Sequence, residues 1–366
     1  MNPSRIFHTI PLPENITEEY SDLFKKFRRS KVKIPQVKKL KNVFVTHNGL
    51  VLKNGLLVDG CAFNLKGKED NTFYYSFWRT AIEQFLVSKF GKSLPSVHLK
   101  GPQPYLLIHS KWFNYSFWVN SFLPRLIQAE EAGWLKRTKL IVPEGWKKVP
   151  YVWDSLTAFD IEFEIIPEGY HIFVDDLVMP ETRQWTASFY PVQIQNARER
   201  LVKEAQKRTV DFNTQTTRVY LTRAKRGVRC VENEDEVITL VKKYGFVPIL
   251  FEDLTIWEQI SLMNQSTHFI SIHGAGFSNI MFMKPGSTVL ELINFPYAQL
   301  EYTFPFWKLA NSVQLRYFSQ FCDVKSGDDS LLSYGKGKMA DELNYLVNKN
   351  ILVDTVQLEL ILKQVC

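Results

Sequence analysis

The amino-acid sequence predicts an α/β protein made of two doubly wound halves that face a cleft, and three observations carry that expectation. Short apolar, β-branched runs recur along the chain with helix-period segments between them, the alternation of an open sheet covered by helices. At 366 residues, with 45% hydrophobic and 14% aromatic residues, the chain is long and apolar enough for two cores. The pattern lapses once, where Arg208 to Thr217 is polar and without period. A boundary is therefore expected near residues 205–216, giving domains 1–210 and 211–345 with 346–366 as a closing segment.

The elements follow in order. Asn42 to Leu65 alternates apolar and polar residues about Asn48-Gly49 and Asn54-Gly55, which read as hairpin turns between short strands. A helical period runs from Ser76 to Phe90. Tyr105-Leu106-Leu107-Ile108 is a buried strand, and Tyr115 to Glu131 is a helix in which Pro124 forces a kink or a restart. Leu140 to Pro143, Ile161 to Ile166 and His171 to Val174 are strands, with a helix from Val152 to Phe159 between the first two. Pro191 to Lys207 is helical and charged.

The second half repeats strand, helix, strand. Arg218 to Thr222, Phe246 to Phe251, Phe269 to Ile272 and Val289 to Leu292 are strands. Asn233 to Tyr244 and Ile256 to Asn264 are helices, the first N-capped by Asn233 with Glu236 three residues on. Val353 to Val365 is an apolar-periodic helix. In such a sheet, ligands are expected beyond the carboxyl ends of the strands.

Composition narrows the function. No apolar run reaches the roughly 18 residues that cross a bilayer, and the first residues lack the apolar core of a secretory signal, so a cytoplasmic protein is expected. Cys61, Cys230, Cys322 and Cys366 are scattered, which indicates neither a disulfide framework nor a zinc site. No Asp-x-Asp occurs, and Asp175-Asp176 and Asp328-Asp329 are adjacent pairs that a strand would point to opposite faces, so no metal site is expected. The net charge of +7 is concentrated in Lys25, Lys26, Arg28, Arg29, Lys31, Lys33, Lys38, Lys39 and Lys41. That run, residues 25–41, reads either as a solvated arm or as a patch for anionic membrane lipid, where each basic residue contributes about 1 kcal/mol. No nucleic-acid module accompanies it, so nucleic acid is not an expected partner.

The densest chemistry lies in residues 268–293. A strand runs into His273-Gly274-Ala275-Gly276, a helix start follows, Pro285-Gly286 turns the chain, and Val289-Leu290-Glu291-Leu292 forms the next strand. Glycines let backbone N–H groups approach a ligand, and a helix N-terminus favours a phosphate. Ser278 and Asn279 would add side-chain donors in the first turn, and Glu291 would accept from ribose or sugar hydroxyls. Tight turns also use glycine for steric reasons alone.

Val219-Tyr220-Leu221-Thr222-Arg223, Arg229, Asn233-Glu234-Asp235-Glu236, Tyr244-Gly245-Phe246, Glu252, Gln259-Ile260 and the His273 to Glu291 block, taken in that order, resemble the glycosyltransferase 61 family. The resemblance is close over residues 219–292, with looser echoes from about residue 40 to the end, Asn114-Tyr115, Trp118 and Leu123-Pro124-Arg125 among them. It implies a GT-B architecture of two Rossmann-like domains, acceptor on the first and donor on the second, with helix 346–366 packing back toward the first. It implies inverting transfer of a hexosyl or pentosyl group from a nucleotide sugar, a UDP-sugar by preference, with no further cofactor, and the missing Asp-x-Asp makes that transfer a metal-independent one by expectation. The implied acceptor is a carbohydrate or lipid-linked saccharide of a bacterial capsule, lipopolysaccharide or other surface polysaccharide, reached in the cytoplasm at the inner face of the membrane.

Residues carry over by position. Arg223 and Arg229, near Lys225 and Arg226, suit the diphosphate, because guanidinium forks match phosphate oxygens. Glu252, His273, Gly274, Ala275, Gly276, Ser278, Asn279 and Glu291 complete the donor side. Asn114, Tyr115, Trp118 and Arg125 stand on the acceptor side, with Trp112 as a further stacking ring. The base is open: relatives read Asn-Tyr-x-His-Trp-x-x-Asp where this chain has Phe117 and Ser121. Those positions were never the base, or a neighbour such as His109 serves, or activity is lost. Asp176 is the alternative base, and Asp154 and Asp160 remain candidates. Two other classes compete. A catalytically silent nucleotide-sugar-binding module would share the fold, while a dinucleotide-dependent oxidoreductase would claim Gly274-x-Gly276. Against the latter, the third fingerprint position is Asn279 and only about a dozen residues precede the next strand.

Overall fold

The computed structural model describes residues 5–61, 71–90, 95–110, 113–182, 189–208, 216–223, 227, 229–299, 304–324, 346 and 348–366. The protein is mixed α/β and divides into two compact units, residues 1–6 with 31–204, and residues 7–30 with 205–366. The break falls between Glu204 and Ala205, at the edge of the expected boundary. Residues 7–30 are the difference from the expected 1–210 domain. They join the second unit because Phe24 stacks on Phe304 at 4.0 Å, Trp307 donates to the Pro11 carbonyl at 2.8 Å, and Arg316 pairs with Glu14 at 2.6 Å. This segment carries helix α1 (Glu18–Lys25), and strands β1 (Arg5–Thr9) and β2 (Arg29–Lys33) pair at its ends.

In the first unit, β3 (Val37–Val45), β4 (Val51–Lys53) and β5 (Leu56–Leu57) form an antiparallel meander. Asn54 and Gly55 both take positive φ, +50° and +75°, the tight hairpin turn that the Asn-Gly pair encodes. After helix α2 (Asn71–Phe90) come β6 (Ser96–Leu99), β7 (Tyr105–Leu106), β8 (Lys139–Pro143), β9 (Glu162–Ile166) and β10 (His171–Pro180). The sheet runs β5-β4-β3-β10-β7-β8-β9, with β6 also along β10, and only β3, β4 and β5 break the parallel set. The chain steps outward from β7 to β9 and then returns to the other side of β7 as β10. In sheets of this kind such a reversal, here at the carboxyl ends of β7 and β10, is where a ligand is looked for.

The helix expected from Tyr115 to Glu131 is interrupted. It comprises α3 (Tyr115–Phe117), a π-helical turn over Trp118–Phe122, and α4 (Leu123–Glu131). Leu123 N–H reaches back five residues to the Trp118 carbonyl, and Pro124 has no N–H with which to continue the four-residue ladder. Helices α5 (Pro150–Leu156) and α6 (Pro191–Ala205) complete the unit.

In the second unit, β11 (Arg218–Leu221), β12 (Val247–Ile249), β13 (His268–Ile272), β14 (Thr288–Asn294), β15 (Arg316–Val324) and β16 (Ile351–Leu352) form one sheet in the order β12-β11-β13-β14-β15-β16. All neighbours are parallel except β15 and β16. The winding reverses between β11 and β13. Helix α7 (Glu234–Lys243) starts at Asn233, whose side chain bonds the main chain of Val353 in both directions instead of capping the helix. Helix α8 (Ile256–Gln265) carries a full capping box from Thr255 and Glu258. A 3-10 helix over Ala275–Phe282, α9 (Phe295–Gln299), α10 (Pro305–Ser312) and α11 (Thr355–Val365) follow.

Leu358, Ile361, Leu362 and Val365 of α11 share a core with Val237 and Val241 of α7, so its apolar face is covered within the second unit. No helix among the described residues is long and apolar enough to cross a membrane. Within the basic run, three lysines have partners in the first unit. Lys38 lies 2.8 Å from buried Glu181, Lys41 is 3.7 Å from Asp176, and Lys39 sits over the Trp134 ring at 4.4 Å.

Candidate functional site

Of the residues expected on the donor side, Arg223, His273 and the glycine turn gather at the reversal point of the second unit. Arg223 stands two residues beyond β11, and its guanidinium lies against Gly274: a Cβ added there would meet Arg223 Nη1 at 2.1 Å. Gly274 has extended backbone, φ 171° and ψ 176°, so the glycine is required for room and not for a left-handed turn. Gly276 has a different task. A Cβ there would lie 2.7 Å from Leu221 Cδ2 and 3.4 Å from the Phe251 ring, so this glycine lets the turn settle onto the ends of β11 and β12. The 3-10 helix that begins at Ala275 starts beside the Arg223 cation.

His273 follows β13 directly, with Nδ1 2.6 Å from Glu291 Oε1. The other Glu291 oxygen accepts the Tyr317 hydroxyl. Glu291 and Tyr317 share one face of β14 and β15, because Val289 pairs with Tyr317 and Glu291 with Ser319. Burial, with the Glu291 charge beside it, raises Tyr317 well above the usual phenol range, so its hydroxyl keeps its proton and donates. The imidazole is flanked by Phe306 at 5.1 Å and Tyr297 at 5.9 Å. Burial pushes Tyr297 up to about 12, against the positive field of Arg229. Arg229 itself sits at φ +53°, with Nε donating to Asn348 Oδ1 at 3.1 Å. Glu252 is exposed in the single 3-10 turn after β12. Lys225 and Arg226 lie outside the described residues.

Three donor-side expectations change. Ser278 and Asn279 are fully buried, since the 3-10 helix is covered from Phe277 onward. The Asn279 amide donates to Gln259 Oε1 and to the Gly276 carbonyl, each at 3.2 Å, and Gln259 in turn bonds the Phe251 and Leu254 carbonyls at 3.0 Å. These side chains brace the glycine turn from below. Glu291 is 0% exposed with both oxygens engaged, so it faces His273 and Tyr317 in place of a sugar.

The first unit departs further from expectation. Arg125 is 1% exposed and donates to the carbonyls of Pro180 at 2.8 Å, Ile108, His109 at 3.4 Å and Leu107 at 3.5 Å. It ties the ends of β7 and β10 together and presents nothing to an acceptor. Trp118 is buried, its indole N–H on Ser155 Oγ at 2.9 Å, so it is core and not a stacking surface. Asn114 caps α3 by accepting from Phe117 N–H at 3.1 Å. Tyr115 packs edge-on to Tyr151 at 5.0 Å and is only part-buried. Trp112 lies outside the described residues.

Of the base candidates, neither His109 nor Asp176 is suited to the task. His109 is buried under Gly49, where a Cβ would come within 2.8 Å of its Cδ2, and against the Trp146 ring at 5.4 Å. Burial, with the Arg125 charge adding to it, pulls His109 down to about 3. Asp176 is a solvated residue inside β10, opposite Lys41 and away from the strand's carboxyl end. Glu181, just past β10, is buried and held by Lys38 and the Gln36 N–H. His109 Nδ1, Ser110 Oγ and Asn120 Oδ1 are buried without a hydrogen-bond partner among the described residues. The first unit also holds an exposed His98–Asp175 pair at 2.6 Å, joined across β6 and β10 from positions 77 residues apart.

Sequence reading missed Tyr297, Phe306 and Tyr317. They reach His273 and Glu291 through strand register and helix packing, and no local motif marks them. Residues 115–290 match the profile of the family described as Glycosyltransferase 61. A protein of Arabidopsis thaliana named xylan glycosyltransferase MUCI21 is 30% identical over 73 residues. That stretch is 19% of this chain and covers 15% of the relative's length.

Proposed function

The chain belongs to the glycosyltransferase 61 family, and on that premise we propose that it transfers a glycosyl group from a nucleotide diphosphate sugar to a carbohydrate acceptor. The observation that carries the reading is the Arg223 guanidinium against Gly274, at the winding reversal of a parallel sheet and beside the start of a 3-10 helix. Arg223 and Arg229 take the diphosphate, and the exposed Glu252 carboxylate accepts from the ribose hydroxyls. As the acceptor oxygen bonds to the anomeric carbon with inversion, charge builds on the departing phosphate. Fixed donors meet it there without rearrangement and without a metal.

The reading extends to a UDP-sugar donor, a GT-B arrangement and an acceptor held by the first unit. A capsular, lipopolysaccharide or other surface polysaccharide is the proposed acceptor class, supported by a relative whose printed name assigns it xylan. Work at the inner face of a membrane through residues 25–41 belongs to the same reading.

A second reading, a silent nucleotide-sugar-binding module, is favoured by one observation. Phe117 and Ser121 cannot take a proton, and His109 at about 3 is a weak base. The test is a thermal-shift and nucleotide-release screen of the full chain in EDTA with UDP-, GDP- and dTDP-sugars, and a CMP-sugar as the monophosphate control. One diphosphate donor should stabilise the protein and release its nucleotide slowly, with Arg223→Ala weakening both by roughly 100- to 1,000-fold. Binding without turnover, acceptor extracts included, would establish the silent module. No stabilisation by any nucleotide sugar would end both readings.

A further inference from the structure

Residues 229–233 and 348–353 meet from positions about 120 apart in sequence, and asparagine side chains do much of the joining. Arg229 N–H donates to the Asn348 carbonyl at 3.2 Å, and its Nε donates to Asn348 Oδ1 at 3.1 Å. Cys230 N–H donates to Asn350 Oδ1 at 2.9 Å, while Asn350 Nδ2 reaches Glu232 Oε1 at 2.8 Å. Main-chain bonds run from Ile351 N–H to Cys230 at 3.0 Å and from Glu232 N–H to Ile351 at 2.8 Å, and Asn233 closes the end on Val353 in both directions. An asparagine amide carries the same acceptor and donor as a peptide group. These side chains therefore complete the pairing of two segments whose ladder is one isolated bridge, Val231 with Ile351.

Arg229 stands at the head of this clasp. Its φ of +53° lies in the left-handed region, which residues other than glycine, asparagine and aspartate seldom adopt and which persists where surrounding bonds fix it. The two bonds to Asn348 do so, and the one from Nε also fixes the plane of the guanidinium. Two observations place that charge at the end of the sheet where Arg223 and His273 stand. Cys230 Sγ donates to the Arg223 carbonyl at 3.7 Å, which closes the loop between the two arginines. The Arg229 charge also acts on Tyr297, whose ring lies 5.9 Å from that of His273. Tyr297 is tied toward the same segment, since its N–H donates to Asn294 Oδ1 at 3.1 Å and Asn294 Nδ2 donates to the Leu346 carbonyl at 2.8 Å.

We propose that Asn348 and Asn350 are positioning residues for the donor site, holding the Arg229 loop so that its guanidinium stands where the diphosphate binds. The proposal rests on the functional reading above, in which Arg223 and Arg229 take the diphosphate. Residues 348–353 thereby set the affinity for phosphate without touching the ligand. The effect is one of preorganisation. A mobile arginine side chain loses its rotamer freedom when the ligand binds, whereas one held by Asn348 has lost it already in folding.

The test is a double-mutant cycle on UDP affinity, measured by calorimetry in EDTA for wild type, Asn348→Ala, Arg229→Gln and the double variant. Asn348→Ala should weaken UDP about tenfold, and Arg229→Gln at least as much. In the Arg229→Gln background, Asn348→Ala should change affinity by no more than about twofold, because the residue through which it acts is gone. A merely structural role would persist there. A tenfold loss repeated in that background, or UDP affinity indifferent to either single change, would overturn the proposal. Asn350→Ala, which removes the acceptor of the Cys230 N–H and the Glu232 contact, is the second variant, and its smaller loss should vanish in the Arg229→Gln protein as well. Hydrogen exchange of the unaltered protein needs neither variant. Bound UDP should slow the amides of Arg229, Cys230, Glu232, Ile351 and Val353 together, and a clasp whose exchange ignores bound UDP would also overturn the proposal. If the wild-type protein binds neither UDP nor any nucleotide sugar, the functional reading fails and takes the proposal with it, whereas UDP binding with additive losses sinks the proposal alone.

Discussion

The two units reverse their winding in the same way and use the reversal differently. In the second, the ends of β11, β12 and β13 present a guanidinium, an imidazole and an exposed carboxylate over a glycine turn. In the first, the ends of β7 and β10 are closed by Arg125, which turns inward onto backbone carbonyls, and His109 is sealed beneath Gly49 and Trp146. Topology sets where a ligand could sit, while the direction in which the polar side chains point sets whether charge is offered there. A strand end with an arginine nearby is thus weak evidence for a site. Arg223 follows a strand end while Arg125 reaches one from helix α4, and only Arg223 has a glycine, Gly274, that leaves room for its guanidinium.

The contrast is broken most sharply at Arg125. Arg125→Met keeps the bulk but leaves the Pro180, Ile108 and His109 carbonyls without their donor, and should cost on the order of 3–5 kcal/mol, read as a lowered denaturation midpoint. UDP affinity measured below the transition should stay within about twofold, since donor binding is assigned to the second unit. A stable Arg125→Met protein with lost UDP binding would reverse the roles given to the two arginines.

How far the chain could be read from its letters follows the same division. Strands β8, β11, β13 and β14 were readable as short, mostly apolar runs with clear flanks, and β9 by Glu162 and Glu164 alternating with Phe163 and Ile165. Strand β15 was not, for Ser319 and Gln320 interrupt its apolar character and yet are buried. Nothing local announces that residues 7–30 join the second unit, because the contacts of Phe24 and Glu14 lie about 300 residues away in sequence. Around the site, Arg223, His273 and Gly274 were found at strand ends because that position follows from neighbouring residues alone. The inward turn of Ser278 and Asn279 and the use of Glu291 by His273 depend on which face of a 3-10 helix or a strand is covered. That is a property of packing, which spacing does not carry.

Acid should separate the units next. His109 is pulled to about 3 and His171 to about 4, both chiefly by burial, and the His171 Nδ1 accepts the His47 N–H, a bond that protonation would destroy. The unfolded chain takes up these protons near the ordinary histidine value of about 6.5, so between there and the folded values it binds more protons than the folded one. Stability is therefore full above about pH 6.5 and is lost as pH falls, by about 1.4 kcal/mol per unit for each histidine. Hydrogen exchange of residues 105–110 should quicken between pH 6.5 and 5 after correction for intrinsic rates, and His109→Gln should flatten the trend. A protection profile independent of pH would mean that these imidazoles are not held neutral by burial.

The finest test lies within the second unit, between two glycines one residue apart. Gly276→Ala pushes a methyl onto Leu221 and Phe251, both buried, and overpacking of this kind costs about 1–3 kcal/mol because neither neighbour can withdraw. Gly274→Ala meets only the far end of the Arg223 side chain, which can swing aside at little cost to the fold. The expected outcomes therefore cross. Gly276→Ala should lower the melting temperature by several degrees with modest loss of UDP affinity, and Gly274→Ala should keep the melting temperature within about one degree while weakening UDP about tenfold, or about 1.4 kcal/mol. Parallel losses in both variants would mean that the turn responds as a single steric unit. The close approach of Arg223 to Gly274 would then be a packing accident, and the charge contrast between the two units would rest on Glu252 alone.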